Sequence, residues 1–361
     1  VASKYLCDIE VMSNIITYKY RIKDSNAAKV LNRMAGACNY VWNYANETSA
    51  LAWKRDHRWL SGFDINNLTT GTSKELGIHG QTIQAVVEEH AKNRGQYKKS
   101  KLRWRSGKKS LGWIPFKEKC VQIEGDIVCY LGHKFRFWNS RDLPGRVHTG
   151  CFVQDARRRW YVCFKVEAPE VEQTKTGTEV GIDLGFKTQI TCSDGVKYER
   201  ENQTRKYAEK LAVAQRAKQK KRVKNIYAKM KNVRNDFNHK ASSELVKRHE
   251  LIKVGNVSSK AMVARKKGWA KSATDSSWSS FKSMLLYKAR RHGVEYQEVN
   301  EAWSSVTCSD CGLRTGPRGL SSLGVRAWQC SNCGASHDRD VNAAQNICRV
   351  RVGSPTSVRE S

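Results

Sequence analysis

The chain has 361 residues, 65 of them Lys or Arg against 34 Asp or Glu, for a formal net charge of +31 with 9% aromatics. Such an excess repels itself in a compact fold unless a polyanion neutralises it, so nucleic acid is the expected partner, with a ribosomal or membrane-surface protein as the plainer alternative. No apolar run approaches the ~20 residues of a membrane span and no secretory signal precedes the first strand, so the eight cysteines outside the quartet described below are expected to be reduced thiols of a cytoplasmic protein.

Residues 5 to 22 alternate branched and apolar side chains and predict a strand. After Asp24-Ser25, an N-cap signal, Val30, Leu31, Met34, Cys38, Val41 and Trp42 recur at helical spacing and predict a helix from Ala27 to about Trp53. The polar stretch from Ser61 to Gly77 is expected to be a loop, and Gln81 to Tyr97 a second helix with Ile83, Val86, Val87 and His90 on one face. The connector 98 to 109 is too charged to bury, and its Arg103 and Arg105 are candidate contacts to a nucleic-acid backbone. From Leu111 to Val166 the period falls to two, with a Glu124-Gly125 turn, which predicts a small antiparallel β domain. The first strand is expected to belong to it, making the helices of 26 to 100 an insertion.

Beyond a polar linker at 168 to 175, Val180-Gly181-Ile182-Asp183-Leu184-Gly185 is an apolar strand carrying a single acid, which is costly to bury unless it meets a cation or a metal. Residues 202 to 250 form the most basic stretch, with Ile226, Met230, Val233 and Phe237 at helical spacing beneath Lys220, Lys221, Arg222 and their neighbours, candidates for a nucleic-acid backbone. A strand at 251 to 257, a helix at 276 to 291 and a strand at 294 to 301 follow, an alternation that argues an α/β domain with a mixed sheet. Cys308, Cys311, Cys330 and Cys333 form two Cys-x2-Cys pairs with zinc-site spacing. Asp338 and Asp340 stand at the start of a further helix, where each is either a capping residue or a metal ligand.

These residues resemble the RuvC-like, RNase-H-fold nuclease core of TnpB, a family of transposon-encoded RNA-guided endonucleases related to the compact type V CRISPR effectors. Gly181 to Gly185 is similar to the first nuclease motif, His239-Lys240 with Ser242 to the helix before the second, Cys308 to Cys333 to an inserted zinc ribbon, and Arg339-Asp340-Val341-Asn342-Ala343-Ala344 to the third motif. The resemblance is specific across residues 178 to 347 and architectural over the first 170. It implies a multidomain α+β chain: a wedge-like β-barrel over 1–25 and 105–170, a helical recognition insertion over 26–104, an RNase-H-like (RuvC) nuclease domain over 171–304 and 334–350, a zinc ribbon over 305–333 and a disordered tail over 351–361. It also implies a monomer that holds a guide RNA and cuts double-stranded DNA beside a short target-adjacent motif, for whose reading Gln81, Thr82 and Gln84 are candidates.

One departure bears on the chemistry. Where the family places its second catalytic acid, this chain has Val254-Gly255-Asn256, and Gly255 supplies no carboxylate. Either the protein is a guided binder without cleavage, or the acid comes from elsewhere on the same sheet. Glu301, at the end of the last strand before the cysteines, is the best substitute, and an active nuclease is the favoured reading. Asp183, Glu301 and Asp340 would then hold a pair of Mg²⁺ ions, with Asp338 as an alternative ligand and Arg339 steadying a phosphate or a carboxylate.

Overall fold

The computed structural model describes residues 15–23, 26–97, 101–167, 177–257, 272, 275–319 and 321–350. The tail 351–361, the start of the first strand, the linker 168–176 and the first residues of the basic connector lie outside them. The chain forms two compact units, Val1–Pro169 and Glu170–Ser361. Among the described residues no helix is long and apolar enough to cross a membrane.

In the first unit β1 (Ile15–Arg21) runs antiparallel to β7 (Trp160–Glu167), which pairs with β6 (Val147–Gln154), which pairs with β2 (Trp113–Lys117). A second sheet is the meander β3 (Val121–Glu124), β4 (Ile127–Tyr130) and β5 (His133–Arg136), and a bridge between Ile22 and Phe137 continues the first strand alongside it. Trp160, Val162, Phe164 and Val166 alternate onto the buried face of β7 as a period of two requires. There they meet Tyr20, Phe116 and Phe152 in one aromatic core.

Between β1 and β2 in sequence come α1 (Ala27–Asp56), α2 (Gly62–Leu68), α3 (Ser73–Leu76) and α4 (Gly80–Tyr97). The expected loop at 61–77 is therefore two short helices. Ser61 accepts from the Asp64 N–H while the Asp64 carboxylate accepts from the Ser61 N–H, a reciprocal cap strong enough to nucleate seven residues.

The second unit is built on a five-stranded sheet in the order β10 (Lys197–Tyr198), β9 (Ile190–Cys192), β8 (Glu179–Asp183), β11 (Leu251–Gly255), β12 (Glu295–Val299). β8, β11 and β12 are parallel, while β9 and β10 fold back as a hairpin. The basic stretch is three helices, α5 (Gln203–Lys206), α6 (Ala208–Arg216) and α7 (Lys220–Arg248), separated after α6 where Lys218 takes a φ of 50°. α8 (Trp278–Arg291) packs on α7, and Leu245, Phe281 and Leu285 of the pair share a core with Val180, Ile182, Ile252 and Val254 of the sheet. The alternate residues face the other way. Gly181 and Lys253 lie under α9 (Arg339–Arg349), where Lys253 Nζ donates to the Cys348 carbonyl at 2.7 Å. Strand parity puts Asp183 and Gly255 on that same α9 side.

Candidate active site and metal centre

Three acids from three segments meet at the carboxyl ends of the parallel strands, the usual crevice of an open α/β sheet. Asp183 is the last residue of β8, Glu301 follows β12 by two residues and Asp340 lies in the first turn of α9. Their proximity is felt electrostatically. Burial, then repulsion from Glu301 and from Asp340, pushes the Asp183 carboxyl up to about 7 against the opposing pull of Arg339. Gly181 lets this happen: a Cβ there would collide with the backbone of Ala344 and Cys348, so only glycine allows α9 to press onto β8 and bring Asp340 beside Asp183.

Gly255 accounts for Glu301. A Cβ on Gly255 would run into Glu301 Oε2 and stand 3.2 Å from Glu301 Cβ and 3.3 Å from its Cδ. The glutamate of the following loop thus fills the space that a side chain at the end of β11 would occupy. Register fixes the relation, since Gly255 pairs with Val299 and Val254 with Ile182. Burial raises the Glu301 carboxyl, opposed by Lys282 and by a hydrogen bond from the Val257 N–H. Its Oε2 is buried with no hydrogen-bond partner. A desolvated carboxylate oxygen without a partner is unfavourable alone and is what a hard divalent cation would satisfy.

The neighbouring charges sort themselves by contact. Asp338 is the N-cap of α9: its Oδ1 accepts from the N–H groups of Asp340 and Val341, and its Oδ2 pairs with Lys197 at 2.7 Å. These contacts make Asp338 the helix cap, and Asp183 is raised by burial and by repulsion from Glu301 and Asp340, with no such contribution from Asp338 among its main causes. Arg339 is buried and donates to the Ser322 carbonyl at 2.6 Å. Arg326 was invisible in the sequence as a site residue, yet its Nη1 contacts both Asp340 oxygens at 2.8 and 3.0 Å. What brings it there is the two-stranded ribbon of β13 (Ala327–Gln329) and β14 (Ser336–Asp338), together with the Arg339 N–H bonded to the Arg326 carbonyl. A cation fourteen residues upstream of Asp340 gives no periodic signal.

The thiols form the most closely drawn set. Among the described residues Cys308, Cys311, Cys330 and Cys333 are the one cluster of metal-binding side chains close enough to hold a single ion, with all four Sγ atoms within 4.8 Å of one another. The Cys308–Cys333 and Cys311–Cys330 Sγ pairs lie 3.7 and 3.6 Å apart. Thiolates about 2.3 Å from a tetrahedral zinc would be separated by about 3.8 Å, so the set fits that ion. Cys308 and Cys311 share one knuckle and Cys330 and Cys333 the other, each closed by a glycine at positive φ, Gly312 at 79° and Gly334 at 74°, whose N–H groups bond back to the Cys308 and Cys330 carbonyls respectively. The Thr315 hydroxyl, 3.1 Å from Cys330 Sγ, together with backbone N–H groups draws that thiol down to about 6, toward the thiolate a metal needs. His337 Nε2 lies 3.0 Å from Cys308 Sγ and links the knuckles to the start of α9.

The candidate nucleic-acid contacts divide. Lys220, Lys221 and Arg222 are exposed on the first turn of α7, and Arg103 and Gln84 are exposed. Thr82 is a correction: it is fully buried, its Oγ1 donates to the Pro115 carbonyl at 2.8 Å and lies 2.7 Å from the Tyr130 hydroxyl, so it belongs to the α4–β2 packing and reaches no groove. Gln81 is half-buried and accepts from the Cys120 thiol. Arg105 is committed within the first unit, lying over Trp42 and Trp113 and donating to Asn39.

Residues 161–266 match the family described as "Probable transposase", and residues 278–347 match the "Cas12f1-like, TNB domain". A Streptomyces pristinaespiralis protein named as a candidate RNA-guided DNA endonuclease is 29% identical over 358 residues, covering 91% of this chain and 88% of its own. InsQ of Escherichia coli K12, similarly named, is 26% identical over 93% of this chain and 92% of its own. In structure the chain is similar to Cas12f1 as seen by cryo-electron microscopy with guide RNA and target DNA, with a TM-score of 0.60 at 12% identity over 90% of this chain and 83% of that one. The chain is thus similar along nearly its whole length to proteins named as RNA-guided DNA endonucleases, and over 59% of its length to a TnpB-like protein of Acanthamoeba polyphaga mimivirus at 26% identity.

Proposed function

We propose that this chain is an RNA-guided DNA endonuclease that pairs a bound guide RNA with double-stranded DNA beside a short target-adjacent motif and hydrolyses the phosphodiester backbone at Asp183, Glu301 and Asp340. The observation that carries the reading is the position of Glu301, whose buried, unpartnered Oε2 fills the place of a side chain on Gly255 and whose charge lies near enough to Asp183 to raise its carboxyl. A retired site has no need to keep three repelling carboxylates together.

In this reading the first unit holds a wedge-like β-barrel with a helical recognition insertion. The second is a RuvC-like nuclease domain interrupted by a ribbon in which Cys308, Cys311, Cys330 and Cys333 hold Zn²⁺. Asp183, Glu301 and Asp340 would hold Mg²⁺, a hard cation that takes carboxylate oxygens as ligands. When bound, the ions activate water and stabilise the leaving oxygen. The side chains do the rest: Asp183, Glu301 and Asp340 offer carboxylate oxygens, and Arg326 orients Asp340 with a side chain that is 46% exposed and can meet a phosphate. The exposed lysines of α7 and Arg103 follow the guide and the heteroduplex by charge, and sequence is read by base pairing. Such a protein works as a monomer at the DNA of a prokaryotic cytoplasm.

The test is cleavage of a matched plasmid by protein purified with its own RNA. Cutting is expected in Mg²⁺, abolished by EDTA, by removal of the RNA and by Asp183→Ala. Guided binding without cutting by the wild-type chain would make it an occupancy repressor, and cutting without RNA an unguided nuclease.

A further inference from the structure

Trp303 stands two residues beyond Glu301, 53% exposed, with its backbone at a φ of 67°. A left-handed backbone strains a bulky L-residue, and strain of this kind persists only where the surroundings impose it. Here they do. The Trp303 carbonyl accepts from the N–H groups of Val306 and Thr307 at 3.0 and 2.9 Å. The carbonyls of Ser304 and Thr307 are clamped in turn by the side-chain amides of Asn342 and Asn346 at 2.7 to 3.2 Å, from the same helix that carries Asp340. The backbone that carries the indole is therefore fixed two residues beyond Glu301, and the indole itself is exposed, where it contributes little to the core.

Its surroundings identify the ligand. The Arg314 guanidinium lies over the indole, 4.6 Å from the ring centroid, and the carbonyl of Arg314 accepts from Arg318, a second cation of the same loop. A flat aromatic backed by a guanidinium can stack a nucleobase of any identity, while the planar fork of the arginine serves the adjoining phosphate. A base within a duplex is already stacked on both faces, so the ligand is an unpaired one. Resting on the nuclease reading above, we propose that Trp303 and Arg314 form a stacking site that holds an unpaired base of the DNA strand delivered to Asp183, Glu301 and Asp340.

The experiment uses the RNA-loaded full chain. In an Asp183→Asn background, 5-iododeoxyuridine is walked along both strands of a matched target and irradiated, and cross-linked peptides are read by mass spectrometry. A cross-link to Trp303 is expected from a short window around the cut site. In the otherwise unaltered protein, Trp303→Ala and Trp303→Gly should cut about tenfold slower with guided binding unchanged, and Trp303→Phe within about twofold. Trp303→Gly should also melt no lower than wild type, because glycine relieves the turn, so slow cutting by that variant cannot be ascribed to misfolding. Wild-type-rate cutting by both the Ala and Gly variants, or no cross-link at Trp303, overturns the stacking site and leaves the nuclease reading standing. A wild-type protein that binds its target and never cuts overturns both.

Discussion

A glycine at the end of β11 makes room for a glutamate from a different loop, and this exchange decides how the site is read. The acids themselves were legible. Asp183 stood out as a lone charge in an apolar strand, and Asp340 and Glu301 by their place beside a helix start and a strand end. The contact between Glu301 and Gly255 depends on the parallel pairing of β11 with β12 and on the turn after Val299, neither of which leaves a local pattern. Thr82 shows the opposite error. A polar residue on a helix beside two glutamines suggested a groove-reading face, but a threonine hydroxyl can be buried at little cost when a carbonyl and a phenol satisfy it. Thr82→Val should therefore cost about 1 to 3 kcal/mol of stability, since it strips the Pro115 carbonyl of its donor, and leave affinity for target DNA unchanged. Denaturant titration and a binding isotherm on the same preparation check both halves; weakened binding with intact stability would restore Thr82 to the interface.

At the scale of elements, the long helices and the strands followed from periodicity, because burial on one face leaves a repeat of 3.6 or 2 in the sequence. The short helices α2 and α3 did not, since four or seven residues bury too few side chains to show a period; α2 is started by the Ser61–Asp64 cap, and α3 is ended by Gly77 at a φ of 60°. Asp338 is the same physics seen from the other side. Its spacing allowed a cap or a ligand, and two backbone N–H bonds make it the cap. The packing of α9 on β8 rests on the missing side chain of Gly181. Gly181→Ala should displace the helix that carries Asp340, lowering stability by about 1 to 3 kcal/mol, as overpacking does, and slowing cleavage well beyond what that loss explains. The control is Gly36→Ala inside α1, where an added Cβ meets nothing within 4 Å and better helix propensity should raise stability by roughly 0.5 to 1 kcal/mol. If the Gly181 variant melts and cuts like wild type, the close approach of α9 is not what sets the acids together.

For the molecule as a whole, the net charge pointed to a polyanionic partner and the cysteine spacing to the cluster that the four thiols form, whereas the buried polar groups that set stability had to be seen in place. His90 is one. Fully buried beside Trp42 and Asn46, it is pushed down to about 4 by burial and then by Arg94. The unfolded chain takes up this proton near pH 6.5, while the folded chain resists it to about 4. Stability present above 6.5 is therefore lost as pH falls through that window, by on the order of 3 kcal/mol. His90→Phe should flatten that part of the denaturation profile between pH 7 and 4, and an unchanged slope would place the acid sensitivity elsewhere.

The most direct measurement is guided, magnesium-dependent cleavage by the wild-type chain, Glu301→Ala, and the double variant Gly255→Glu with Glu301→Ala, each purified with its RNA and matched for target binding. If the Glu301 carboxylate stands where an acid on β11 would, the single variant should lose more than about a hundredfold in rate, because changes one shell further out already cost 10- to 100-fold. The double variant should recover a substantial part of it, since removing Glu301 vacates the space that a side chain at 255 needs. Wild-type cutting by Glu301→Ala, or a double variant as inert as the single one, would contradict the account.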